Sequence, residues 1–280
     1  MRLFGSLIHF FARASEWAGD RFHHLSNLLN GILPVALSQD ELTMLIRNFY
    51  RKAYADWHDL PTPEDLFLEP WETEVLDRYH VRSGTLLVLG SGVGREPILI
   101  AQRGVPPIGV DTNAIAVHLA SRAAATLRVR ARFLQASFLD LPFAGSSFNY
   151  ILLPSTMYSA VAGVPGRRAW LQDLRRLLKP DGFVMLSFSK QHDRNSPRTR
   201  FLTSLNGMLR RLPGSNPSYQ PGDDCVGGHF LHGFQSETEI REELLQAGAI
   251  IKELQWERGF AVVALGSGDS TVQAATSQIP

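Results

Sequence analysis

Apolar residues follow two alternating patterns along most of this chain. Short, nearly continuous apolar runs predict buried strands, and stretches in which apolar residues recur every three or four positions predict helices. The predicted strands are 85–89, 108–110, 131–136, 148–153, 183–188, 249–256 and 260–265. The helices predicted between them are 95–103, 114–127, 167–178 and 237–246. Strands that alternate with helices form right-handed βαβ units, so the pattern predicts an α/β fold with a doubly wound parallel sheet.

Helical patterns also precede the first strand, over residues 3–29, 42–57 and 64–79, and Asn30-Gly31 is expected to end the first of them. We therefore divide the chain into an N-terminal helical cap or lid (1–82), a core (83–265) and a flexible tail (266–280). The apolar stripe along 3–29 leaves three interpretations open. It fits a helix packed on the core, a lid over a hydrophobic substrate, or an amphipathic helix at a membrane surface.

The alternation breaks at residues 190–235, where several arginines occur among prolines and glycines. We expect an insertion here, over the substrate side of the core. A run of charge is usually a solvated surface, but these arginines also fit a site for an anionic substrate group or a membrane contact.

Composition limits the class of protein further. The chain has 280 residues, 44% of them hydrophobic, and a net charge of +1, which gives no electrostatic case for nucleic-acid binding. Cys225 is the single cysteine, which excludes an intrachain disulfide and agrees with a cytoplasmic location. No stretch contains the ~18 consecutive apolar residues of a membrane-spanning helix, and the N-terminus is a poor signal peptide.

The candidate chemistry lies at the ends of the first three predicted strands. The first strand runs into Gly90-Ser91-Gly92-Val93-Gly94, where glycines allow a close approach of backbone to ligand and the following helix offers free N–H groups. The second strand ends in Asp111, whose carboxylate can accept hydrogen bonds from both hydroxyls of a ribose. The third ends at Ser137-Phe138, where a hydroxyl and a backbone amide could meet an adenine edge. Together these residues predict an adenosine-containing cofactor.

The glycine spacing distinguishes between such cofactors. The loop reads G-x-G-x-G, which differs from the dinucleotide fingerprint G-x-G-x-x-G. No G-K-[ST] follows it, which excludes a Walker-type phosphate loop.

Five ordered blocks of this sequence resemble the class I, S-adenosylmethionine-dependent methyltransferases. The resemblance covers residues 83–265. The blocks are the glycine-rich run 86–94, the second-strand run 108–111, the segments 140–143 and 147–151, the turn into the fifth strand at 177–183, and the helix 239–248, which is similar to the family's E-L-L-x-x-A-G helix.

The resemblance implies a seven-stranded sheet in the order 3-2-1-4-5-7-6, with strand 7 antiparallel, and S-adenosyl-L-methionine as cofactor. It also implies the cofactor-binding residues, which are Leu89, Gly90, Ser91, Gly92, Gly94, Asp111, Thr112, Ser137, Phe138, Pro154 and Tyr54. Three positions depart from the family pattern, each having lost an acidic residue: Val88, Ser137 and Asn149. Ser137 can still form hydrogen bonds, but Val88 cannot replace the acid near the methionine amino group.

The candidate catalytic residues are Tyr158, His192 and His229. Tyr158 belongs to the loop after the fourth strand, residues 154–158, which supplies candidates for positioning the substrate. Histidine is the best proton acceptor near neutral pH, and His192 follows the fifth strand, while His229 precedes the last helix. No spacing or acidic companion indicates a metal site.

These observations predict a methyltransferase that acts on the oxygen or nitrogen of a small molecule, such as a secondary metabolite, and that binds no nucleic acid. Two alternatives stay open. The first is a lipid or protein acceptor at a membrane surface, with residues 1–35 as the membrane contact. The second is a module that binds the donor without catalysis.

Overall fold

We describe a computed structural model of the chain, over residues 26–54, 59–62, 65–191, 196–226 and 229–266. Its helices are α1 (residues 26–36), α2 (Gln39–Ala53), α3 (Pro70–Arg78), α4 (Arg95–Gln102), α5 (Ala114–Thr126), α6 (Val164–Leu177), α7 (Pro197–Leu209) and α8 (Glu237–Gln246). Its strands are β1 (Leu86–Leu89), β2 (Pro107–Asp111), β3 (Arg132–Gln135), β4 (Phe148–Leu153), β5 (Leu178–Ser187), β6 (Ser189–Lys190), β7 (Asp223–Val226), β8 (His229–Phe234), β9 (Ala249–Gln255) and β10 (Phe260–Leu265).

The central sheet has seven strands in the order β3-β2-β1-β4-β5-β10-β9. Strands β1 to β5 pair in parallel, and β10 is antiparallel to both β5 and β9. When the strands of this sheet are counted along the chain, β9 and β10 are strands 6 and 7. The predicted fold class and the predicted strand order are therefore confirmed.

Helices cover both faces of this sheet. Alternate residues of β1 point to opposite faces, so Leu86 and Val88 pack with Trp71 of α3 and Ile100 of α4. On the other face, Leu87 and Leu89 join the apolar side chains of α6 and α8 in the largest core cluster. All four residues of β1 are buried, which is why this strand reads as a continuous apolar run. The central position of β1 places its C-terminal end between β2 and β4.

Helix α1 differs from its sequence prediction, because it continues through Gly31 instead of ending there. A Cβ atom at this position would lie 2.4 Å from Cδ1 of Leu202, so the glycine allows α1 and α7 to pack closely. The predicted stripe 3–29 lies mostly outside the described residues. Within the described ranges, no helix combines the length and the apolar content needed to cross a bilayer.

The insertion has more regular structure than its sequence predicts. It contains helix α7 and a second sheet in the order β6-β8-β7. Arg167 of α6 fixes this sheet to the core: its guanidinium donates to Gln220 at 3.1 Å, and Asp223 in turn accepts the backbone N–H of Gln220 at 2.8 Å. Strands β7 and β8 are neighbours along the chain, whereas β6 pairs with β8 from the other end of the insertion. Strands as short as β6 and β7 leave little sign in the apolar periodicity.

Candidate active site

The glycine loop after β1 forms one wall of a cavity at the C-terminal edge of the sheet. Gly90 has φ of 73° and Gly92 has φ of 50°, a region that favours glycine. A Cβ atom on Gly90 would lie 2.7 Å from the sulfur of Met157, and one on Gly92 would lie 2.8 Å from the hydroxyl of Tyr54. The two glycines therefore allow Met157 and Tyr54 to approach the loop backbone closely, and both glycines line the cavity.

Asp111 stands beside this loop, at the end of β2. Its carboxylate accepts the backbone N–H of Gly92 at 2.9 Å and that of Asn113 at 2.8 Å. Burial raises the pKa of the Asp111 carboxyl, against the lowering effect of these backbone donors. The side chain is fixed with its oxygens at the cavity wall, where each oxygen keeps lone pairs for further donors.

The segment after β3 closes the cavity on the far side of Asp111. Ser137, Phe138 and Leu139 all line it. The hydroxyl oxygen of Ser137 accepts the backbone N–H of Leu139 at 3.2 Å and an N–H of Arg47 at 3.4 Å. Ser137 is therefore a polar group on an otherwise apolar stretch of wall.

Helix α2 lies over the cavity and contributes Ile46, Arg47 and Tyr50 to its lining, with Tyr54 just beyond the helix end. The amide of Asn113 donates to the carbonyl oxygen of Tyr50 at 3.1 Å, which anchors this cover to the core. Burial is the main cause that raises the pKa of both phenols, to about 12 for Tyr54. Both tyrosines are therefore neutral at physiological pH.

The cavity enclosed in this way has an empty volume of about 970 Å³, counting its open mouth. Its polar groups gather around Asp111 and Ser137, and its apolar part is formed by Ile46, Met157 and Val161. The site can therefore hold one polar and one apolar ligand portion side by side.

Seven of the predicted cofactor-binding residues line this cavity: Tyr54, Gly90, Gly92, Asp111, Thr112, Ser137 and Phe138. The other four are outside the cavity lining. Leu89 is completely buried in the core, and Pro154 is buried just after β4. The hydroxyl of Ser91 points towards Gly109, and Gly94 gives room for Ala120 and Phe133.

Tyr158 is corrected from a catalytic candidate to a structural residue. It is completely buried, and its hydroxyl donates to Oε1 of Glu243 at 2.7 Å. Arg167 holds the same carboxylate through Nε and Nη2, at 2.7 Å each. Tyr158 therefore points away from the cavity, into an ion pair between α6 and α8.

Neither candidate histidine is placed as a base in the cavity. His192 lies outside the described residues. His229 is not among the lining residues: its ring lies 4.5 Å from that of Phe49 and 6.0 Å from that of Tyr50, measured between centroids. Burial lowers the pKa of His229, so its imidazole is neutral. The ring packs against the aromatic side chains of α2.

A buried acidic pair next to the glycine loop was missed by the sequence prediction. Glu72 of α3 and Glu96 of α4 are 1% and 3% exposed, and Arg95 contacts both carboxylates. Burial raises the pKa of both glutamates, to about 8 for Glu72. Nη2 of Arg95 lies 3.5 Å from the hydroxyl of Ser155, which lines the cavity. The Arg95-Glu96 pair directly after Gly94 was the available sequence signal.

Val88, where the family's acidic residue is absent, packs on the same face of the sheet as Trp71 and Val75. Among the described residues, no group of three or more His, Cys, Asp and Glu side chains is arranged to hold a metal ion.

Comparison with known proteins agrees with this geometry. Residues 86–182 match a family model described as a methyltransferase domain. No curated protein matches significantly. A SAM-dependent methyltransferase from Methanosarcina mazei superposes with a TM-score of 0.52 at 21% identity, over 71% of this chain and 96% of that one.

Two further solved structures are similar. One is a protein from Pyrococcus horikoshii OT3, with a TM-score of 0.54 at 17% identity over 77% of this chain and 99% of that one. The other is the 1,6-didemethyltoxoflavin-N1-methyltransferase of Burkholderia thailandensis, solved with 1,6-didemethyltoxoflavin and S-adenosylhomocysteine bound. It has a TM-score of 0.55 at 17% identity, over 81% of this chain and 89% of that one. At these identities the likeness concerns the fold.

Proposed function

We propose that this chain binds S-adenosylmethionine with its methyltransferase domain, residues 86–182, and methylates a small, largely apolar acceptor inside the cavity under α2. The observation that carries the proposal is the apolar part of that cavity, which continues directly from the polar part around Asp111. An acceptor enclosed there would lie next to the donor and away from bulk water.

The residues present fit this donor. Asp111 keeps both carboxylate oxygens at the cavity wall, and neighbouring hydroxyls of a ribose are suitable donors to such a pair. Gly90 and Gly92 bring the loop backbone into the cavity lining, at positions where a Cβ atom would collide with Met157 or Tyr54. Ser137 and Phe138 offer a hydroxyl and an aromatic ring to the adenine.

S-adenosylmethionine, when bound, supplies a methyl group that is already activated by the positive charge on its sulfonium sulfur. The rings of Tyr50 and Tyr54 lie in the cavity wall, and their electron-rich faces favour a neighbouring positive charge. Their raised pKa values keep both phenols protonated. The chain's main contribution is therefore to align the two reactants and to exclude water.

No strong base is available among the described side chains that line the cavity. The ionisable ones are Arg47, Tyr50, Tyr54 and Asp111. The tyrosines are neutral, and the remaining lone pairs of Asp111 are those we assign to the ribose of the donor. We therefore propose an acceptor atom that has a free lone pair at neutral pH, such as a heterocyclic nitrogen, an amine of low basicity or an ionised oxygen.

Transfer of labelled methyl groups to a metabolite extract tests this proposal. Label should appear in the small-molecule fraction that passes an ultrafiltration membrane. Recovery of the label in protein or lipid would contradict a small-molecule acceptor and favour the alternative acceptors. No transfer to any fraction would favour a donor-binding module.

A cavity variant tests the place of the acceptor. Val161→Phe fills the apolar part, so we expect it to bind S-adenosylhomocysteine like the wild type and to lose methyl transfer. Leu245→Phe enlarges an exposed residue of α8 and should leave both properties unchanged. Full transfer activity in Val161→Phe would place the acceptor elsewhere.

The cellular context is part of the proposal as well. Cys225 is free and buried, in agreement with a cytoplasmic location, which we propose. We also keep the peripheral membrane contact through residues 1–35 as a proposal, although residues 1–25 lie outside the described part of the chain.

A further inference from the structure

Helix α7 and the turn after it expose three large apolar side chains. Phe201, Met208 and Leu212 have exposed fractions of 54%, 61% and 56%. Phe201 and Met208 are two helical turns apart, so both lie on one side of α7, and Leu212 follows about one turn later. Single exposed apolar residues are ordinary, but a group on one side of a helix indicates an interaction surface.

The side of α7 that faces away from these exposed residues packs on α1 and fixes the orientation of the helix. Leu202 and Asn206 are buried, and the amide of Asn206 donates to the carbonyl oxygen of Gly31 at 2.8 Å. Leu202 fits against the bare backbone of Gly31. Because these contacts hold α7 on α1, the exposed side cannot turn inwards without breaking them.

The charged residues of the segment that carries this surface all have one sign. Residues 196–222 contain four arginines and no Asp, Glu, Lys or His. Arg198 is paired with Asp224 at 3.2 Å. Arg200, Arg210 and Arg211 are exposed, and none of them has a carboxylate partner within the described part of the chain. Their long side chains can cover apolar surface while the guanidinium groups stay in water.

We propose that this surface docks onto an anionic lipid bilayer, and we call Arg200, Phe201, Met208, Arg211 and Leu212 the α7 patch. Apolar side chains flanked by unpaired arginines match the layered chemistry of a membrane surface, where acyl chains lie beneath anionic headgroups. A protein partner that carries both kinds of charge does not explain why 27 consecutive residues, 196–222, contain no acidic side chain. A nucleic acid does not explain the exposed apolar side chains. The inference is independent of the acceptor proposed above.

Co-sedimentation of the full chain with vesicles tests the proposal. We expect binding to phosphatidylcholine vesicles that contain phosphatidylglycerol and little binding to phosphatidylcholine alone. Phe201→Ser with Met208→Ser should weaken binding at least tenfold. Arg200→Glu with Arg211→Glu should weaken it more, since each arginine near an anionic surface contributes roughly fivefold in affinity.

Matched substitutions elsewhere serve as controls. Leu245→Ser with Ile250→Ser removes two equally exposed apolar residues, and Arg122→Glu with Arg130→Glu reverses two exposed arginines. Both controls should bind vesicles like the wild type. Melting temperature and affinity for S-adenosylhomocysteine should be unchanged in all variants, which separates loss of docking from loss of folding.

Three results would overturn the proposal. The first is a wild type that does not sediment with anionic vesicles under conditions in which it is folded. The second is binding of the α7-patch variants at the wild-type level, which would assign membrane contact to another part of the chain. Finally, if the wild type self-associates in sedimentation velocity and Phe201→Ser with Met208→Ser is monomeric, the patch joins two copies of this chain instead.

Discussion

Tyr158→Phe separates a structural role of this side chain from a catalytic one. The Tyr158 hydroxyl donates to Oε1 of Glu243 at 2.7 Å, and both residues are buried. Glu243 also accepts two hydrogen bonds from Arg167. The substitution therefore removes one hydrogen bond from a carboxylate that keeps two others, and it leaves no donor of its own unpaired.

We expect Tyr158→Phe to lower the free energy of unfolding by about 2 kcal/mol, as for a hydrogen bond to a charged group. For a chain of this size, that loss lowers the melting temperature by about 4–8 °C. Arg167→Met should cost more, about 3–5 kcal/mol, because it leaves the Glu243 carboxylate buried without its counter-charge. We therefore expect Arg167→Met to be less stable than Tyr158→Phe.

Thermal and urea unfolding followed by circular dichroism measure these losses. Tyr50→Phe is the matched control, because it removes a phenolic oxygen at the cavity wall; we expect its stability to change by no more than about 0.5 kcal/mol. Well below its melting temperature, Tyr158→Phe should transfer methyl groups within about a factor of two of the wild-type rate. An unchanged melting temperature, or a large fall in kcat with KM unchanged in the folded variant, would refute the structural role.

Two further substitutions test the polar part of the site. Asp111→Ala should weaken binding of S-adenosylhomocysteine in calorimetry about a hundredfold, since losing two charge-assisted hydrogen bonds costs roughly 3 kcal/mol. Asp140→Ala, which removes an exposed carboxylate, is its control, and full affinity in Asp111→Ala would remove this residue from the site. Burial raises the pKa of Glu72 from 4.5 to about 8. Between these values the folded protein retains a proton that the unfolded chain has released, so stability should fall as pH rises through this window. Glu72→Gln should flatten this decline in melting curves recorded from pH 5 to about pH 8, whereas curves parallel to those of the wild type would contradict the assigned pKa.

The sequence by itself determined the alternation of strands and helices, and it placed Gly90, Gly92 and Asp111 at one edge of the sheet, whereas the strand order was implied by the resemblance to a known family. The alternation and the shared edge depend on local signals. The period of apolar residues distinguishes β1 to β5 from the helices between them, and Gly90, Gly92 and Asp111 occupy the ends of neighbouring strands. Because parallel strands place those ends at one edge, the spacing along the chain was enough to bring the loop and the carboxylate together.

Only the tertiary structure decided the role of residues whose partners are far away in sequence. Tyr158 became structural because Glu243, 85 residues later, meets its hydroxyl in the core. Helix α2 became the cover of the cavity because Asn113 of the core holds the backbone of Tyr50. The direction in which a side chain points depends on packing across the whole molecule, and no local periodicity contains that information.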